Sequence, residues 1–156
     1  MATIIVPYGL SYVGGALLSS VLLVSVQILI VSARRKASGI QPPQLYAERA
    51  QVEKSVDALR LNCAQRAHLN TLEYLPALYL TTCITAYKYP ILAASLCEGW
   101  TIARLVYTRD YTSGFPEKNV QRTFGARTSL MFLLGLIASA AYTVGTAMIN
   151  ELQQVA

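Results

Sequence analysis

The chain has 156 residues, of which 54% are hydrophobic and only 13% charged, with a formal charge of +5. Soluble domains carry about 25% charged residues, so a water-facing surface cannot be covered here. The mean hydropathy of +0.40 points to a membrane protein of one domain rather than two.

In chain order, residues 2–33 carry no charge, more than the roughly 20 apolar residues a spanning helix needs. A first helix is predicted over 8–36, closing in "VSARRK". No basic residue precedes it and no small-residue cleavage site follows, so it is expected to be retained rather than removed as a signal peptide. The stretch "KASGIQPPQLYAERAQVEKSVDALR" reads as a polar loop, with a Pro-Pro pair that stops any helix at Gln41. A second helix is predicted over 60–87, interrupted by Glu73, and "YKYP" makes a tight turn. The third, over 90–113, is interrupted by Glu98 and Arg104 and ends at Gly114 and Pro116. Residues 128–150 are again uncharged and belong to a fourth helix over 121–150. The predicted fold is therefore all-α, an integral membrane four-helix up-down bundle forming one domain over 1–156.

The basic residues set its orientation. Arg34, Arg35, Lys36, Arg49, Lys54, Arg60 and Arg66 lie in or beside the first loop. Arg104, Arg109, Lys118, Arg122 and Arg127 lie at or after the end of the third helix, and only Lys88 lies in the second turn. Loops one and three share a face of an up-down bundle, so that face is expected in the cytosol. These charges touch anionic membrane lipid; without interleaved aromatics or a reader motif they do not suggest nucleic acid. Cys63, Cys83 and Cys97 have no metal-ligand spacing and the chain has one histidine, so no metal site is expected.

The segment "LNCAQRAHLNTLEYLP" carries the chemistry. At about 100° per residue, Asn70 lies about 40° from Arg66, Glu73 about −20° and Tyr74 about 80°. His68, at about 200°, points the other way. On the third helix Trp100, Arg104, Tyr107 and Tyr111 fall within roughly 60° of one another. Two polar stripes thus descend from the cytosolic rim. A bland alternative is a Glu73–Arg104 ion pair that only locks the helices together, but the stripes hold more polar groups than one pair requires. Intramembrane polar groups mark functional sites by default. Pro76 cannot donate to the Leu72 carbonyl, which favours a bend. Gly15 with Ser19, and Gly135 with Ser139, make small-residue faces suited to close packing between subunits.

These motifs, with "GWTIARLVYTRDYTSGFPEK" and "VSARRK", resemble the MAPEG family of membrane-associated proteins in eicosanoid and glutathione metabolism, most of all its type-three microsomal glutathione S-transferase branch. The resemblance implies a homotrimer binding glutathione between neighbouring subunits near the cytosolic rim. It implies that Arg34, Arg66, His68, Asn70, Glu73, Tyr74, Arg104, Tyr107 and Tyr111 hold the tripeptide. The activating arginine of the leukotriene synthase branch falls on Lys118, the expected thiolate stabiliser, with Arg122, Arg109 or the Tyr111 hydroxyl as fallbacks. Arg35 matches an arginine tied there to the second substrate.

The activity implied is a glutathione transferase or glutathione-dependent peroxidase acting on a lipophilic electrophile or a lipid hydroperoxide. The location implied is the endoplasmic reticulum membrane, or the mitochondrial outer membrane. Three other readings stand beside it. One is a lipid-presenting scaffold like the lipoxygenase-activating member of the family; another is conjugation of one specific lipid epoxide, as in the leukotriene synthase branch; the last is a purely structural bundle.

Overall fold

A computed structural model describes residues 8–113 and 120–155, with side chains throughout except at 120–123 and 155. Five helices appear: α1 Leu10–Ser38, α2 Arg49–Lys54, α3 Val56–Lys88, α4 Pro90–Tyr111 and α5 Val120–Val155. No strand occurs among the described residues.

The short helix α2 corrects the reading of 37–60 as loop throughout. Gln51 makes it possible, because its Oε1 accepts from the Glu48 backbone N–H at 2.8 Å and from Gln44 Nε2 at 2.7 Å. Ser55, in extended conformation, separates α2 from α3. The segment is then fastened at two points. Arg35 donates to the carbonyls of Gln44 at 2.7 Å and Leu45 at 3.2 Å. Asn62 pairs with both backbone groups of Ala47, at 2.6 and 2.9 Å.

Helix ends follow local chemistry. Gly39, at φ 70°, takes the left-handed conformation that ends α1, with Arg35 and Lys36 in the last turn facing the negative end of the helix dipole. Tyr89 alone separates α3 from α4, and Pro90 opens α4 where its missing N–H costs nothing. Helix α3 continues through Pro76 to Lys88. Its 33 residues make it about 50 Å long, well beyond an apolar core of about 30 Å.

Successive long helices run antiparallel. Gln27 of α1 meets Thr71 of α3, while Ser20 meets Tyr79. Arg104 of α4 reaches back to Asn70 of α3. Gly125 of α5 lies against Tyr107 of α4, and Gly99 of α4 against Phe132 of α5. The core runs between the helices through Leu23, Leu78, Cys97, Trp100, Leu133 and Leu136.

The apolar surface is turned outward. Leu29 is 69% exposed and Met131 72%. Beside core side chains such as Leu78 and Trp100, the interior holds many alanines and small hydroxyl residues, including the buried Ser20, Thr71, Thr82, Thr85, Thr101 and Thr108. Two helices, Leu10–Ser38 and Phe124–Gln154, are long and apolar enough to cross a membrane. The small-residue faces lie partly inside the chain rather than at its surface: Ser19 donates to Glu98, and a Cβ at Gly135 would touch Leu96. Gly15, unlike Gly135, faces open space, with nothing within 4 Å of an added Cβ.

At the centre, Gln27 is 1% exposed, and its Nε2 donates to Thr71 at 2.9 Å and Thr108 at 2.7 Å. One amide thus joins α1, α3 and α4 at a common level.

The α4 and α5 backbones approach closely at Gly125. A Cβ at Gly125 would stand 2.7 Å from the Tyr107 nitrogen and 3.0 Å from the Ala103 carbonyl oxygen. Backbone cannot step aside, so Gly125→Ala is expected to destabilise the fold by about 1–3 kcal/mol. At Gly99 the obstacle is the Phe132 ring, 2.5 Å away, which can swing on its own side chain. Thermal unfolding in detergent should place Gly125→Ala below Gly99→Ala.

Candidate functional site between three helices

Arg104 sits on α4 about two turns before its end and is 2% exposed. Its Nη2 donates to both the backbone carbonyl and the side-chain oxygen of Asn70, each at 3.0 Å. Its guanidinium carbon lies 4.7 Å from the Tyr107 ring centre, 4.8 Å from Tyr74 and 5.4 Å from Trp100. Trp100 and Tyr107 come one turn to either side on α4, and the antiparallel register brings Tyr74 from α3.

From Asn70 the polar contacts climb α3. Asn70 Nδ2 donates to Glu73 Oε2 at 3.1 Å, and Arg66 Nη1 donates to Glu73 Oε1 at 3.1 Å. The carboxylate therefore pairs with Arg66, half exposed at the outer end, and not with the buried Arg104. This corrects the ion pair Glu73–Arg104: the buried cation is met by an amide, a carbonyl and three rings. Arg104 Nε remains buried with no hydrogen-bond partner among the described residues.

A cavity of about 200 Å³ opens beside this guanidinium between α3, α4 and α5. Asn70, Tyr74, Trp100 and Arg104 line one side, and Arg127, Ser129 and Leu133 the other. It combines a fixed cation, aromatic walls and an amide, which suits an anionic or dipolar group reaching in from the rim.

The structure thus gathers Arg66, Asn70, Glu73, Tyr74, Arg104 and Tyr107 of the sequence-predicted residues. Tyr111 joins them through Tyr107, with ring centres 5.3 Å apart. His68 is half-buried, and its Nδ1 is buried with no hydrogen-bond partner among the described residues. Arg35 holds loop carbonyls, and no described hydrogen bond joins Arg34 or Arg35 to the ladder. Lys118 lies outside the described residues, as does the side chain of Arg122. Sequence reasoning overlooked Gln27, which anchors Thr71 and Thr108 on the helices carrying the ladder, because nothing local distinguishes a glutamine inside an apolar run. Trp100, grouped with Arg104 on one face of α4, walls the cavity and covers that guanidinium.

An all-α chain with two apolar membrane-length helices and an internal polar ladder defines a class, a helical membrane protein with a solute-sized polar cleft. The chain belongs to the MAPEG family, whose family model matches residues 13–142. That family includes glutathione transferases, peroxidases and members without catalysis.

The two arginines differ in what they do for stability. Arg66→Ala breaks a half-exposed pair, which contributes little, and is expected to leave thermal unfolding unchanged. Arg104→Ala empties a buried site under three rings and is expected to cost about 2–5 kcal/mol. Chemical or thermal denaturation of both variants checks the contrast.

Proposed function

We propose that the chain is a membrane-bound glutathione transferase, with peroxidase activity toward lipid hydroperoxides arising from the same activated thiol. The observation that carries this is Arg104, a cation buried beside an open cleft and engaged in no ion pair among the described residues. Among the family's activities, the resemblance to the type-three microsomal transferase branch favours this one.

In this reading four helices span the membrane, three copies assemble, and the rim bearing the first and third loops faces the cytosol at the endoplasmic reticulum. Glutathione offers two carboxylates, an ammonium and a thiol. Guanidinium groups grip carboxylates through paired hydrogen bonds, a role for Arg104 and Arg66, with Arg34 supplied at the subunit boundary. Glu73 exchanges its half-exposed partner Arg66 for the ammonium, while Asn70, Tyr74, Tyr107 and His68 position the peptide. Holding a hundredfold more thiolate at neutral pH takes roughly 2.7 kcal/mol. One charge-assisted hydrogen bond provides about 1.5–3 kcal/mol, so a single cation, Lys118 in this proposal, is sufficient. Tyr111 is the alternative donor to the sulfur.

The thiolate attacks an electrophilic carbon of a membrane-soluble substrate, forming a carbon–sulfur bond as the bond to a leaving group breaks and that group departs with the electron pair, or as an epoxide C–O or activated alkene π bond opens and its electron pair takes up a proton. With a hydroperoxide it attacks the distal oxygen, releasing the alcohol; a second glutathione then completes the disulfide and water. Arg35 is assigned here to the second substrate only if it leaves the loop carbonyls it now holds.

One observation favours a scaffold without chemistry: both Glu73 oxygens are already occupied, by Arg66 and Asn70. Glutathione titration of the purified chain in detergent, followed by calorimetry and by thiolate absorbance in the ultraviolet, separates the two. The transferase reading expects saturable binding with thiolate formed; the scaffold reading expects neither thiolate nor turnover. Arg104→Met keeps bulk in the site and is expected to weaken binding about tenfold to hundredfold, the equivalent of one charge-assisted bond. Lys118→Ala should keep binding and lose the thiolate signal. Unchanged thiolate absorbance in that variant removes Lys118 from its role.

A further inference from the structure

A second polar group lies inside the helices, far along α4 from the ladder. Glu98 is eight residues into α4, about 12 Å from its start. It is half-buried, and Ser19 of α1 donates to its Oε2 at 2.7 Å. The ion pairs among the described residues are Arg49–Glu53, Arg60–Asp57 and Arg66–Glu73, so none of them neutralises Glu98.

Beside this carboxylate is a cleft of about 500 Å³ between α1 and α4, within the range of small-molecule sites. The two helices touch at its ends, where Gly9 packs against Pro90 and Ile91 and where Ser19 meets Glu98. Between these points Gly15, Ala16, Ala94 and Ser95 are too small to fill the gap. Tyr12, 60% exposed, stands at its edge. Ser11 adds a second hydroxyl beside Ser95, and the walls are otherwise apolar.

We infer that this cleft is a binding site for a lipid-soluble ammonium, such as a protonated long-chain amine, with Glu98 as its counter-charge. A carboxylate among apolar walls selects a cation carrying its own apolar tail. The hydroxyls of Ser11 and Ser95 accept the remaining ammonium protons, and the Tyr12 ring offers its face to the charge. Glu98 already holds a serine hydroxyl proton in this structure, the interaction an ammonium donor reproduces with added charge. The site shares no lining residue with the cleft at Arg104.

The test uses the full-length chain in detergent micelles, a fluorescent dodecylamine and the matching fluorescent dodecanol. The amine should bind saturably and at least tenfold more tightly than the alcohol. Glu98→Gln should remove that preference. Gly15→Leu, placed where an added side chain meets open space, should block both probes while Glu98 stays intact. Ser19→Ala frees the carboxylate and should retain or tighten amine binding. Glutathione titration of the same variants should be unchanged, which also confirms that they are folded and separates this site from the proposed activity. Equal binding of amine and alcohol, partition without saturation, or full amine affinity in folded Glu98→Gln each overturns the proposal. So does a cleft filled by a second copy, read as Gly15→Leu dissociating an oligomer without altering amine binding.

Discussion

A guanidinium enclosed by three aromatic rings governs the arrangement of the polar residues. Removing one ion from water costs several kcal/mol. Each ring over Arg104 returns about 0.5–2 kcal/mol, and the paired bonds to Asn70 add to that. The arrangement requires Trp100, Arg104 and Tyr107 on one face of α4, and it requires α3 to run antiparallel so that Asn70 and Tyr74 arrive at the same height. Once Asn70 is committed to Arg104 through its oxygen, its amide hydrogens point to Glu73, and Glu73 in turn holds Arg66. One buried charge orders a chain of side chains that ends at the surface.

The packing around that chain inverts the pattern of a soluble domain. Alanines, serines and threonines fill much of the interior around Leu23, Leu78, Trp100, Leu133 and Leu136, where they let helices approach closely, while many other large apolar side chains, such as Leu29 and Met131, face outward. In lipid the apolar effect does not distinguish inside from outside, so close contact and internal hydrogen bonds hold helices together. Thr71 and Thr108 return their hydroxyl protons to carbonyls one turn back, Thr71 to Ala67 and Thr108 to Arg104. They are thus satisfied within their own helix and remain able to accept from Gln27.

Much of this could be read from residue spacing. Helical angles placed Arg66, Asn70 and Glu73 together, and hydrogen bonds join them. Uncharged runs located α1 and α5, because length and apolarity are local properties. Partners across helices were harder to foresee. A carboxylate looks like the natural mate of Arg104, yet the register between α3 and α4 offers it Asn70. The six residues of α2 were hidden by the prolines before them and by a polar composition that also suits a loop; the Gln51 bond to the Glu48 backbone was the available signal. Glu98 was visible only as an interruption, since Ser19 lies 79 residues away and nothing in either neighbourhood names the other.

Gln27 has a consequence for how the protein sits in bilayers of unequal thickness. Its amide engages α3 and α4 at the same height, so sliding α1 by one turn, about 5.4 Å, breaks both attachments at once and strands a buried amide. Helices free to slip past one another could shorten or lengthen the apolar belt to match the surrounding lipid. Pinned at mid-height, these three move as one block, and the bilayer must thin, thicken or let the whole block tilt.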